Sequence, residues 1–147
     1  MKLKKRSMFL AILIALMLAI TLSACGSNGE GDPNDEIGSE GLEYFPVTAD
    51  EYGVKMGDAE YLDIIVIPSM HEGKKVTQIG ACAFEDCSML ATVNVTAQDS
   101  AVIQSYSFEN CTALTSFNIP NGVVKISSYA FSGCGNIKSI TFPISLQ

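Results

Sequence analysis

The stretch AFEDCSML, residues 83–90, is written twice more, as SFENCTAL at 107–114 and AFSGCGNI at 130–137. In each copy a small residue precedes Phe, a Cys follows three residues later, and an aliphatic residue closes the unit. Phe84, Phe108 and Phe131 stand 24 and 23 residues apart. Cys87, Cys111 and Cys134 keep the same steps, and so do Leu90, Leu114 and Ile137. Five residues before each Phe lies Ile79, Ile103 or Ile126. Beyond each unit comes an apolar–x–apolar pair: Val93/Val95, Phe117/Ile119 and Ile140/Phe142. A period in the twenties marks a stack of repeats.

The unit has a physical reading. Its end alternates with period two, which predicts a short strand with its apolar side chains on one side. IPNG, residues 119–122, ends that strand in a turn. The chain must then return to begin the next strand, through a short helical or irregular segment between Ile126 and Cys134. Phe131 fills the interior, Ala130 leaves room beside it, and Cys134 lies at a tight buried turn. A single coil cannot bury its own faces, but stacked coils can, with strands about 4.8 Å apart. The predicted result is a set of ladders of Phe, Cys and Leu.

The series begins before the first Phe. Leu62-x-x-Ile65-x-Ile67-Pro68 matches Leu114-x-x-Phe117-x-Ile119-Pro120 position for position. Residues 62–147 therefore predict an α/β solenoid of three to four coils, built from short parallel strands. The return from Pro68 to Ile79 is five residues longer than that from Pro120 to Ile126 and carries HEGKK. Residues 44–61 read as an N-terminal cap, a hairpin with Gly57-Asp58 at its turn.

These residues resemble the BspA-type, or Treponema pallidum-type, leucine-rich repeat, whose pattern is close to I-x-x-x-A-F-x-x-C-x-x-L-x-x-I-x-I-P. Val95-Thr96 departs from it at the Pro position, and Ser107 replaces the usual Ala. The resemblance implies a right-handed curved solenoid of a kind carried on bacterial surface and secreted proteins. It also implies a role in binding other proteins.

The N-terminus has its own signature. Basic residues 2–6 (KLKKR) precede an apolar stretch from Met8 to Leu22. That is short for a membrane span, which needs about 20 residues, and matches a secretory signal over residues 1–24. The stretch ends Leu22-Ser23-Ala24-Cys25, which resembles the bacterial lipobox. The resemblance implies cleavage before Cys25 and a diacylglyceryl thioether on its sulfur, with acylation of the new N-terminus. Two or more chains hold a protein on a membrane where one is marginal. The expected location is outside the cytoplasm, on the cell membrane or outer membrane. The alternative is a plain secreted protein in which Cys25 is incidental. Residues 25–43 are rich in Gly, Ser and acids and read as a flexible tether.

Charge excludes one class of partner. Without residues 1–24 the chain keeps five lysines against sixteen acids, a net charge of −11. Such a surface repels phosphate, so no nucleic acid partner is expected. No catalytic constellation is legible. His71 is the only histidine, in a Gly/Lys-rich loop, and lacks companions at metal-ligand spacing. Cys82 and Cys87 are five apart, which suits neither a redox pair nor a zinc knuckle. Cys82 takes the place of Tyr106 and Tyr129 and should face outward. Neither enzyme activity, cofactor nor metal is expected.

The candidate binding residues are the outward positions of the strands: Thr92 and Asn94, Ser116 and Asn118, Ser139 and Thr141. Asp63, Ile64 and Val66 precede them on the first rung. These small polar side chains suit a protein or adhesion ligand. The competing reading is a solvated sheet face on a structural or accessory envelope lipoprotein with no dedicated ligand. Finally, Lys138–Phe142 reads as an unpaired edge strand beside Ile144 and Leu146, which predicts self-association at that end.

Overall fold

A computed structural model describes residues 38–58, 61–96 and 100–147. The expected signal segment, Cys25 and most of the expected tether lie outside the described residues. Within them the strands run β1 (Leu42–Pro46), β2 (Glu51–Met56), β3 (Ile64–Ile67), β4 (Met70–His71), β5 (Lys74–Ile79), β6 (Thr92–Val95), β7 (Ala101–Ile103), β8 (Ser116–Asn118) and β9 (Val123–Ile126).

The strands expected from the period-two alternation form a three-stranded parallel sheet, β3-β6-β8. Its register places Ile65 beside Val93 and Val93 beside Phe117. All three of these residues are buried, as are Ile67, Val95 and Ile119. The match between sequence copies is thus a match in space. Residues 138–142 do not form a fourth strand, which corrects the expected edge strand there. Phe142 is 59% exposed, although its counterparts Val95 and Ile119 are buried.

The returns differ from the expectation of helical or irregular chain. No helix occurs among the described residues, so the α/β assignment is corrected to an all-β one. The returns instead contain a second sheet, ordered β1-β2-β5-β7-β9, with β4 paired to β5. From β2 onward the path is parallel. The physical reason lies in the segments themselves. Val76-Thr77-Gln78-Ile79, Ala101-Val102-Ile103 and Val123-Val124-Lys125-Ile126 are rich in β-branched residues, which fit a pleated surface better than a helix. Stacking then supplies each with a parallel neighbour.

Two hairpins guard the first return. β1 and β2 pair antiparallel, from Leu42 opposite Met56 to Pro46 opposite Tyr52. The turn is therefore at residues 47–50, not at Gly57-Asp58. Thr48 organises it: its amide donates to the carbonyl of Glu51, and its Oγ1 accepts from the amide of Asp50. The assigned tether also ran too far. Leu42 and Glu43 belong to β1, and the amide of Ser39 donates to the carbonyl of Val66 on β3. The extra segment HEGKK makes the second hairpin, β4–β5, with Met70 opposite Lys75. Its two turn residues, Glu72 and Gly73, both have positive φ (50° and 71°), as a tight two-residue hairpin turn requires.

Between the two sheets the chain passes through runs of turns at 81–86, 105–110 and 128–133. Here alternate amides point in different directions. Those of Ala83, Glu85 and Cys87 close turns onto carbonyls three residues back, those of Gly80, Cys82 and Phe84. Those of Cys82, Phe84 and Asp86 reach the next copy, at Ser105, Ser107 and Glu109, over 3.1, 2.7 and 2.8 Å. Positive φ at Cys82 and Asp86, and at Tyr106 and Asn110, breaks any helix. The third copy keeps the pattern with Tyr129 and Gly133. The first two copies thus have three sides, two strands and a turn run, and the third keeps one strand and its turn run. Between the first two copies all three sides bond to each other, an arrangement consistent with a solenoid.

The core lies inside these three sides. Phe84 and Phe108 stack at 5.1 Å between ring centroids, and Phe108 and Phe131 at 5.5 Å. Phe117 stands edge-on to both Phe108 and Phe131. Leu90, Leu114, Ile79 and Ile103 are buried around them. A gap between the sheets beside Ile67, Val76, Ile103 and Val123 measures about 10 Å³, room for roughly one water molecule.

Candidate functional site

The three-stranded sheet presents its second face outward, and its register arranges the predicted residues in rows. Ile64, Thr92 and Ser116 are neighbours across the strands. Val66, Asn94 and Asn118 form the parallel row. Thr92 is half-buried, whereas Asn94, Ser116 and Asn118 are exposed. Side chains of one strand alternate in direction, so the polar row is the complement of the buried row Ile65, Val93, Phe117. Among the described residues these four polar side chains make no hydrogen bond within the protein, which leaves their donors and acceptors open. Ser139 and Thr141 are exposed as expected, but outside any strand, so no ladder fixes them in the rows. At the opposite edge Ile64 is 51% exposed and gives the face an apolar margin.

Cysteine placement follows the ladder. Cys87 and Cys111 are buried, Cys134 is half-buried, Cys82 is exposed, and all four are free thiols. Cys111 donates through Sγ to the carbonyl of Phe84 and Cys134 to that of Phe108. The Cys87 thiol beside it, and then burial, hold Cys111 protonated well above the usual thiol range. Burial likewise pushes Cys134 up. These are poor nucleophiles, and their chemistry is structural.

His71 is not a free loop residue. It lies on β4, half-buried, with its ring stacked on Tyr44 at 3.6 Å between centroids and edge-on to Tyr52. Lys74 Nζ sits 5.2 Å from the centre of the Tyr52 ring. The loop-like composition of HEGKK concealed this cluster, because its partners come from β1 and β2. Among the described residues no group of three or more His, Cys, Asp or Glu side chains is placed to share a metal ion. A second aromatic feature, the stacked pair Tyr106–Tyr129, lies on the turn side. Its signal was the shared repeat position of the two tyrosines.

Comparison with known proteins agrees with this geometry. The model of the BspA-type leucine-rich repeat region matches residues 55–147, in six copies. No curated protein matches the chain. The crystal structure of the T. pallidum leucine-rich repeat protein is similar, with 28% identity and a TM-score of 0.67 over 76% of this chain and 52% of that one. A leucine-rich repeat protein from Bacteroides ovatus is similar at 25% identity and a TM-score of 0.58, over 74% of this chain and 30% of that one. The chain thus matches about half the length of the first relative and under a third of the second. Its repeated Phe–Cys–Leu unit, its paired parallel sheets and the family match carry one conclusion: the chain belongs to the BspA-type leucine-rich repeat family.

Proposed function

We propose that this protein is a lipid-anchored module of the bacterial cell surface that binds another protein through the outward face of the three-stranded sheet. The observation that carries the reading is the pair of aligned rows, Thr92/Ser116 and Asn94/Asn118, whose side chains are not used within the described fold. Repeat stacks bind along such extended faces, because each copy adds an equivalent strip of contact. Ser139 and Thr141, exposed beyond the last strand, are further candidates on the C-terminal side. Adhesion to a host or neighbouring protein is the use that suits a tethered module of this kind. The anchor itself rests on Leu22-Ser23-Ala24-Cys25. Exposed Phe142 and Ile144 add a second, apolar route, self-association.

Three measurements test these parts separately. Saturable binding of the full chain to whole cells or a purified surface protein should be lost when Asn94 and Asn118 are both replaced by Arg, with no change in melting temperature. Absence of any saturable partner at micromolar concentration would leave a structural envelope protein instead. Cys25→Ala should release the chain from the membrane fraction; unchanged partitioning into detergent would rule the anchor out. Sedimentation should show concentration-dependent association that Ile144→Glu suppresses, and a strictly monomeric parent would remove that route.

A further inference from the structure

The turn side carries an aromatic feature that the core does not use. Tyr106 and Tyr129 hold equivalent places in successive turn runs, and their rings stack at 5.1 Å with 7° between planes. They are 37% and 63% exposed, whereas Phe108, two residues beyond Tyr106, is fully buried. Both tyrosines have positive φ, 59° and 61°. That conformation is uncommon for a bulky residue, so the backbone itself turns the rings outward. Cys82, at φ 52°, holds the same place in the preceding turn and continues the row as an exposed thiol.

Carboxylates stand at the Cys82 end of this row. The amide of Glu85 donates to the carbonyl of Cys82, and that of Glu109 to the carbonyl of Tyr106, so each acid shares a turn with a member of the row. Both act on the Cys82 thiol: chiefly a hydrogen bond to Glu85, with the charge of Glu109 adding, raises it above its ordinary range. The three turn runs contain Glu85, Asp86 and Glu109 and no Lys, Arg or His. Asp86 accepts a hydrogen bond from Asn110. Among the described residues Glu85 and Glu109 form no ion pair.

We propose that Tyr106 and Tyr129, with Glu85 and Glu109 at the Cys82 end of their row, form a docking surface for an arginine-bearing segment of a protein partner. The chemistry selects arginine. A guanidinium is planar, weakly hydrated and able to lie flat on an aromatic ring, here on one of the two outer faces, since the stacked rings cover each other's inner ones. Its fork of donors can meet a carboxylate at the same time. An ammonium supplies the charge but neither the flat stacking nor the paired hydrogen bonds. This surface is separate from the sheet face and does not depend on the binding role proposed for it.

The test uses the full chain and a fluorescein-labelled decapeptide of alternating Arg and Gly, followed by fluorescence anisotropy at low ionic strength. The arginine peptide should bind saturably and about fivefold or more tighter than its lysine counterpart of equal charge. Tyr106→Asn and Tyr129→Asn should each weaken it by about fivefold, since asparagine tolerates positive φ and removes only the ring. Tyr129→Phe should keep the binding. Glu109→Gln, which leaves the row intact, should weaken it, while the distant Asp58→Asn should not. Equal affinity for both peptides, unmoved by the tyrosine variants, would reduce the effect to general attraction to an acidic chain and overturn the proposal. So would an absence of peptide binding, including the case in which a neutral glucose oligomer binds instead and is lost with Tyr129→Asn.

Discussion

Cys111 donates its thiol hydrogen to the carbonyl oxygen of Phe84, one copy back, over 3.1 Å. The same carbonyl already accepts the amide of Cys87 within its own turn. A carbonyl has two lone pairs, and the thiol of the next copy takes the second. The bond recurs between Cys134 and Phe108 at 2.9 Å. The recurring cysteine is therefore a small donor, buried at Cys111 and half-buried at Cys134, that ties the second and third turn runs to their predecessors.

Replacing that donor has a measurable effect. Cys111→Ala should destabilise the fold by about 1–2 kcal/mol, the order expected when a buried hydrogen bond and some packing are lost. The raised pKa of Cys111 adds a pH signature. The folded state holds the proton more tightly than the unfolded one, so stability is complete below the ordinary thiol range. It should fall as pH rises above about 8.5, where unfolded thiols ionise, by up to about 1.4 kcal/mol per pH unit. Urea midpoints between pH 7 and pH 10, expected to decline less steeply in Cys111→Ala, check this.

Phe108 is the member of the ladder with a ring on each side, and it is fully buried. Phe108→Ala should cost about 3–5 kcal/mol, the usual range for a buried Phe. Phe131 is only half-buried, so Phe131→Ala should cost distinctly less. Equal melting temperatures for the two variants would show that the ladder does not carry the core as described.

Some of this structure could be read before the coordinates and some could not. The strand at Val93–Val95 and its neighbours were legible because alternation and copy-to-copy spacing report the same residues twice. The same logic placed Thr92, Asn94, Ser116 and Asn118 outward. The second sheet was hidden because its register shifts, between Tyr52 and Gly53 and between Ala101 and Val102, so its copies do not repeat at one spacing as those of the first sheet do. The cap hairpin was misplaced because Gly57-Asp58 is the stronger local turn signal. The turn that forms relies on Thr48 bonding to Glu51 and Asp50, which composition does not announce. His71 looked isolated because its ring partners, Tyr44 and Tyr52, are distant in sequence.

One substitution should improve the protein. Ser107 is fully buried and its Oγ has no hydrogen-bond partner. The equivalent positions hold Ala83 and Ala130, both buried, so the site accepts a methyl group in the same backbone setting. Ser107→Ala removes an unsatisfied hydroxyl and should stabilise the fold by about 1 kcal/mol. For a domain of this size that raises the melting temperature by several degrees, roughly 4–8 °C. A calorimetric midpoint unchanged or lowered would mean that the hydroxyl is satisfied after all.

The last expectation concerns the residue that keeps the third turn in register. Asp86, Asn110 and Gly133 hold equivalent places, with φ of 60°, 58° and 75°. Asp and Asn are the side chains that best tolerate this region, and glycine enters it freely. Gly133 also has no space for anything larger. A Cβ there would run into the side-chain oxygen of Asn110 and come within 3.1 Å of its Cα. Gly133→Ala therefore combines an unfavourable backbone conformation with a tight contact against Asn110, whose side chain must turn aside. The loss should be about 1–3 kcal/mol. The effect should be local as well as global. The amide of Asn110 donates to the carbonyl of Ser132, so its hydrogen exchange should accelerate more than that of Phe84, which bonds to Ser107 one copy away. Equal acceleration at both amides would show that the stack melts as one unit and that Gly133 sets only its overall stability.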